Sequence, residues 1–194
     1  MGYYDSEAEV YDEKRGGMDR ARVAAEAVTR LAPVGRVLDV GGGTGIVSAE
    51  LAALGFDVVV ADASAGMLAV ASDRLPGRLA RCDATRLPVR DRSVDVVTAV
   101  WLLHLLPSAA GDAVLAEAAR VLRPGGVLVS TVDKELAHRP VRGSDADDRK
   151  RVTAVCRCVG LEPGGTTTFS GRSSWGSSSG GDPVFTLAAF RSGG

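Results

Sequence analysis

The chain has 194 residues, 45% hydrophobic and 24% charged, which suits one globular domain with a substantial core. Lys and Arg number 23 against 24 Asp and Glu, and this net charge of −1 argues against a protein that lives on nucleic acid. The three cysteines, Cys82, Cys156 and Cys158, are too few and too irregularly spaced for a disulfide framework or a zinc site, and read as small apolar residues.

The start, Met-Gly-Tyr-Tyr-Asp, lacks the basic stretch and apolar core of a signal peptide, and no apolar run approaches the length of a membrane span. A cytoplasmic protein is expected. Residues 1–20 are polar, with Tyr3, Tyr4 and Tyr11 as their only aromatics. Residues 18–32 read as an amphipathic helix with Val23, Ala27, Val28 and Leu31 on its apolar stripe. Strand one is Arg36–Val40, followed by a glycine turn and a helix to about Leu54. The β-branched run from Asp57 to Ala61 suits a strand covered on both faces, and it ends in Asp62. Ser64 can cap a helix over Ala65–Arg74. Arg78–Arg81 reads as a third strand, again followed by an acid, Asp83, and Ser93–Val100 as a fourth. An alanine-rich helix over 109–122, a turn at Arg123-Pro-Gly-Gly126 and a fifth strand over Val127–Val132 follow.

The tail differs from this alternation. Residues 134–149 are irregular, Arg151–Val159 reads as a helix, and Thr166–Phe169 and Pro183–Arg191 read as strands joined by the Ser/Gly-rich stretch Ser173–Gly181. Two strands joined without a helix imply an antiparallel pair at a sheet edge.

The stretch Val37-Leu-Asp-Val-Gly-Gly-Gly-Thr-Gly45 carries the functional signal. Strand, glycine turn and helix in that order form the place where an open α/β sheet holds a nucleotide-like ligand. A dinucleotide fingerprint fails, because its third glycine falls on Ile46 or Ser48, and a P-loop fails for want of a lysine. The observed spacing is alternating, Gly41, Gly43 and Gly45, with Asp39 ahead of it. Such a turn suits a ligand without a pyrophosphate.

Val37–Gly45 resembles the first motif of the class I S-adenosylmethionine-dependent methyltransferases. Val58–Ser64, Cys82-Asp83-Ala84 and Arg120–Leu128 resemble three further motifs of that family, in order. The resemblance covers about residues 36–132, and a Tyr4-Asp5…Tyr11-Asp12 pattern ahead of it resembles the leading segment of the small-molecule, ubiquinone-biosynthesis type. It implies one domain with a doubly wound, Rossmann-like, mainly parallel sheet of seven strands and a C-terminal antiparallel hairpin. Residues 1–32 would form a helical segment over the cofactor site, 36–132 the cofactor-binding core, and 133–194 the last helix and antiparallel strands.

The resemblance also implies roles. Asp62, with Ala63 beside it, would accept from the ribose hydroxyls of S-adenosylmethionine, and Asp83 from the adenine amino group. Ala84 and Met67 would face the adenine ring, while Asp39, Gly41 and Gly43 would order the methionine end. Tyr11 would lie over the methionine moiety and Trp101 would line the pocket. Each has a plainer alternative: Asp62 a helix cap, Asp83 a turn residue, Met67 and Trp101 core, Tyr11 a surface aromatic. His104, just after strand four, is the candidate base or substrate-orienting group, ahead of His138 and Asp133. No metal is expected. The implied activity is methyl transfer to an O, N or C centre of a small molecule. The apolar run Val100–Leu103 suggests an apolar or aromatic acceptor, and the Ala/Gly/Arg/Val-rich composition a bacterial source and secondary metabolism. Neither nucleic acid nor membrane is expected as a partner, and a monomer or homodimer is. A cofactor-binding fold that no longer methylates, and a nucleic-acid or protein methyltransferase, are the other readings.

Overall fold

The computed structural model describes residues 3–134, 144–171 and 183–193. Two helices open the chain, α1 (Tyr3–Lys14) and α2 (Gly17–Thr29). The alternating core follows as β1 (Arg36–Val40), α3 (Ile46–Ala53), β2 (Asp57–Asp62), α4 (Ala65–Arg74) and β3 (Leu79–Arg81). Then come β4 (Val94–Ala99), a short 3-10 turn (Leu103–Leu105), α5 (Ser108–Val121), β5 (Leu122–Val132), α6 (Arg149–Cys158), β6 (Leu161–Ser170) and β7 (Val184–Ser192). His138 and the Ser173–Gly181 stretch lie outside the described residues.

The strands form one sheet in the order β3-β2-β1-β4-β5-β7-β6. The first five pair in parallel, and β7 runs antiparallel to both β5 and β6, so the hairpin occupies one edge with β7 inside. Apolar side chains alternate across the sheet and give two layers. One packs Val37, Val58, Val96 and Val129 against Ala24, Val28 and Leu51 from α2 and α3. The other packs Leu38, Val97 and Leu128 against Leu115, Ala118 and Val152 from α5 and α6. A parallel sheet covered in this way explains the unbroken apolar runs in its central strands.

Three boundaries depart from the sequence reading for local reasons. β5 starts at Leu122, before Pro124, because Leu122 pairs with Val94 across a register shift, so the expected turn becomes an irregular stretch of strand. β6 starts at Leu161, ahead of Pro163; β6 is an edge strand, where a proline costs no ladder hydrogen bond. α6 starts at Arg149, because the Asp148 carboxylate accepts from the Arg151 amide as its cap. One face of β2 is also less covered than its β-branched run predicts. α3 and α4 pack on its Val58–Val60 face, and Val59 on the other side is 37% exposed.

Candidate active site

The strand order reverses direction between β1 and β4, and ligands of open α/β sheets bind beyond the carboxyl ends of strands at such a point. A cavity of about 290 Å³ lies there, walled by the glycine turn, the ends of β2 and β4, and residues of α1 and α2. The turn follows from its sequence. Gly41, Gly43 and Gly45 all have positive φ, at 69°, 57° and 69°, so every second residue needs the left-handed region that glycine enters without strain. A Cβ on Gly41 would stand 2.7 Å from Leu102, whereas one on Gly43 would meet nothing nearer than Met67 Sδ at 3.9 Å. Backbone at Gly43 therefore faces open cavity.

Asp39 is buried where β1 meets the turn. Thr98 is its register partner on β4 and donates to its Oδ1 at 2.7 Å, while Ser48 on α3 donates to its Oδ2. Burial pushes this carboxyl up, against the pull of those two hydroxyls. Asp62 closes β2. Its Oδ2 accepts from the Gly43 amide at 2.9 Å and its Oδ1 from the Ser64 amide at 2.8 Å, which ties the glycine turn to the second strand. Each oxygen retains a lone pair for a ligand hydroxyl. Asp83, beyond β3, takes the Thr85 amide and hydroxyl on one oxygen, and these hold its carboxyl below the usual range. The other oxygen is left to the cavity mouth. Ala63, Ala84 and Met67 complete this end; Met67 is 2% exposed and its amide donates to Ser64 Oγ.

The far end is built differently. Trp101 has a φ of 58°, uncommon for a bulky residue, and its amide donates to Thr131 Oγ1 at 2.8 Å. Its ring meets Phe169 and Phe185 edge-on, and the Arg20 guanidinium lies 3.8 Å from its centroid. Tyr11 is in the cavity wall, paired with Tyr4, and Arg15 sits 5.2 Å from its ring centroid; burial raises its phenol. His104 is 5% exposed, and its Nε2 lies 2.9 Å from Lys134 Nζ.

α1 is fastened to this site. Asp5 Oδ1 accepts from Ser64 Oγ at 2.6 Å and from the Gly66 amide at 3.0 Å. Asp12 accepts from Thr44 Oγ1 at 2.7 Å and pairs with Arg74 at 2.8 Å.

The structure thus brings the eleven leading sequence-derived candidates to one cavity. Asp133 is not among its walls; it accepts from the Arg149 amide and pairs with that side chain, outside the cavity. The three cations of the cavity wall, Arg15, Arg20 and Lys134, escaped the sequence reading. Arg20 left a trace, standing four residues before Ala24 and eight before Val28 on the apolar stripe of α2. Lys134 follows the end of β5, the position where β2 supplies Asp62. Arg15, in the polar leading segment, left none. Among the described residues no group of three His, Cys, Asp or Glu is placed to hold a metal, and no helix is long and apolar enough to cross a membrane.

A glycine cradle open to the cavity, with carboxylates at the ends of the next two strands, fits an adenosine-bearing ligand and defines an α/β cofactor-binding protein of the doubly wound class. A methyltransferase-domain family model matches residues 38–130. A demethylmenaquinone methyltransferase of Parafrankia sp. (strain EAN1pec) is 41% identical over 170 residues, 76% of this chain and 66% of that one. Its counterpart in Beutenbergia cavernae is 44% identical over 135 residues, 66% of this chain and 55% of that one. The chain therefore spans between half and two thirds of the length of these relatives. The CcbJ methyltransferase from Streptomyces caelestis superposes with a TM-score of 0.74 at 22% identity, covering 99% of this chain and 98% of that one, and so shares the fold. The chain belongs to the class I S-adenosylmethionine-dependent methyltransferase family, whose cofactor is S-adenosylmethionine.

Proposed function

We propose that the protein transfers a methyl group from S-adenosylmethionine to an O, N or C centre of a small molecule with an aromatic or apolar body. The observation that carries this reading is a single cavity running from the glycine turn and Asp62 to the His104–Lys134 pair. It has a cofactor end made of backbone and carboxylates, and an acceptor end made of aromatic and leucine side chains. Relatives named for demethylmenaquinone support an aromatic acceptor.

S-adenosylmethionine, when bound, supplies an electrophilic methyl on a sulfonium. Asp62 would hold the ribose hydroxyls, Asp83 the adenine amino group, and Met67, Ala63 and Ala84 the ring. Gly41 and Gly43 would offer backbone to the methionine end, with Asp39 keeping their turn in shape and Tyr11 above it. Trp101 and the leucines after β4 exclude water and align the acceptor, which is most of what this chemistry asks of a protein. His104 is the candidate base or orienting group, with its Nε2 2.9 Å from Lys134 Nζ.

Calorimetric titration with S-adenosylhomocysteine tests the cofactor half. Replacing Asp62 by Ala removes charge-assisted hydrogen bonds worth roughly 1.5–3 kcal/mol, so affinity is expected to fall about tenfold or more. Unchanged affinity would defeat the assignment. Incubation with labelled cofactor and aromatic acceptors tests transfer; tight cofactor binding with no product from any of them would favour a binding or cyclase role.

A further inference from the structure

Three cations, Arg15, Arg20 and Lys134, line the acceptor end of the cavity, and none of them has an ion pair with a carboxylate among the described residues. Arg20 is 7% exposed. Its Nη1 donates to the Arg15 carbonyl at 2.8 Å, its plane lies on Trp101, and its buried Nε has no hydrogen-bond partner among the described residues. Lys134 Nζ lies 2.9 Å from His104 Nε2; Asp147 also acts on it through space, but that carboxylate takes the Lys134 amide at 3.0 Å and forms no ion pair with Nζ. The acids of the same cavity stand elsewhere or are engaged. Asp12 is paired with Arg74, Asp39 is held by two hydroxyls, and Asp62 and Asp83 belong to the adenosine end.

We propose that this end of the cavity recognises an acceptor bearing an acidic group, an aromatic acid whose carboxylate sits among Lys134, Arg20 and Arg15 while its ring lies against Trp101 and Tyr11. The proposal rests on the methyltransferase reading and names the substrate class for it. Buried like charges repel, and a bound anion relieves both that repulsion and the desolvation of each cation. The strain is visible in the ammonium of Lys134, pushed down to about 7 by burial first and then by Arg20 and Arg15, against the pull of Asp147. It is visible again in Arg20, lowered to about 10 by burial and by Arg15. The cofactor's own single carboxylate can satisfy one of the three cations. Its sulfonium and ammonium add positive charge, so the demand for a second anion persists with the cofactor in place. Arg is suited to grip a carboxylate with two parallel donors, and an aromatic body matches the walls already described.

Salicylate and its neutral counterpart salicylamide, matched in size and shape, are the probes. Each is titrated at low salt into protein saturated with S-adenosylhomocysteine, whose own binding is measured first. The expected result is at least about tenfold tighter binding of the acid. Lys134→Met should abolish most of that preference, and Lys134→Arg should keep it, with S-adenosylhomocysteine affinity within about threefold of the parent in both. Equal affinities, tighter binding of the amide, no binding of the acid, or a preference that survives Lys134→Met would each overturn the proposal. Failure of the protein to bind S-adenosylhomocysteine would defeat the methyltransferase reading and this one together. Cofactor binding without preference for the acid would defeat this one alone.

Discussion

Lys134 shows how one residue can couple site chemistry to stability. Burial and two nearby guanidinium groups lower its ammonium to about 7 in the folded chain, from the usual 10.5. Below pH 7 the fold must bury a charged ammonium. Between about 7 and 10.5 the folded chain has released the proton and the unfolded chain still holds it, so stability rises with pH through that window. Lys134→Met removes this dependence. The variant is expected to melt a few degrees above the parent at pH 6, with the gap closing by pH 10, since partial exposure of the side chain keeps the effect to about 1–2 kcal/mol. Thermal melts at three pH values check it; a gap that is constant with pH would mean that the ammonium is not strained. Asp39 carries the opposite sign, its carboxyl being raised by burial, so its contribution to stability declines as pH rises above the usual carboxylate range. Asp39→Ala leaves the Ser48 and Thr98 hydroxyls buried without their acceptor, and a loss of roughly 2–3 kcal/mol in denaturant unfolding is expected.

At the scale of elements, α1 stands apart from the sheet it serves. Its apolar content is slight and Ala8 is its only buried residue, so packing alone would not hold it. Polar fastening does so instead. Asp5 binds the start of α4, just past β2, and Asp12 binds Thr44 in the glycine turn and Arg74 at the far end of α4. Gly66 permits this approach, for a Cβ there would stand 2.7 Å from the Asp5 backbone. Gly66→Ala is therefore expected to lift α1 while leaving the sheet intact. Limited proteolysis should cut residues 3–14 sooner, and S-adenosylhomocysteine should bind several-fold more weakly because Tyr4, Tyr11 and Asp12 leave the cavity wall together. Protease resistance equal to the parent would mean that the fastening is not what holds the helix. The sequence reading had this segment as helical and over the site, yet could not see its attachments. Those are single hydrogen bonds between residues 59 and 61 positions apart, and no local pattern records them.

Across the whole molecule the cavity divides along the chain. The continuous stretch from β1 to β4 supplies the end we propose for the cofactor, and this half was legible because its geometry is local. Alternating left-handed turns require Gly41, Gly43 and Gly45, and an acid must stand just past each strand that reaches the ligand. The end proposed for the acceptor is assembled from the two outer parts of the chain: Tyr11, Arg15 and Arg20 before the sheet, Lys134 after β5, and the β6–β7 hairpin behind Trp101. No spacing rule links Arg20 to Phe185, although the guanidinium lies 4.7 Å from that ring, so this half emerged only from the folded chain. The division has a measurable consequence. Phe185 does not line the cavity, but it backs both Trp101 and Arg20 from the hairpin. Phe185→Leu removes the edge-on aromatic contact and one of the two rings beneath the guanidinium, at a cost of about 1–1.5 kcal/mol in stability. Because no hydrogen bond among the described residues links the β6–β7 hairpin to the glycine turn, Asp62 or Asp83, S-adenosylhomocysteine affinity should stay near the parent value while the KM for an accepted substrate rises several-fold. An equal fall in both would show that the two ends of the cavity are one mechanical unit, and that acceptor recognition cannot vary independently of the cofactor site.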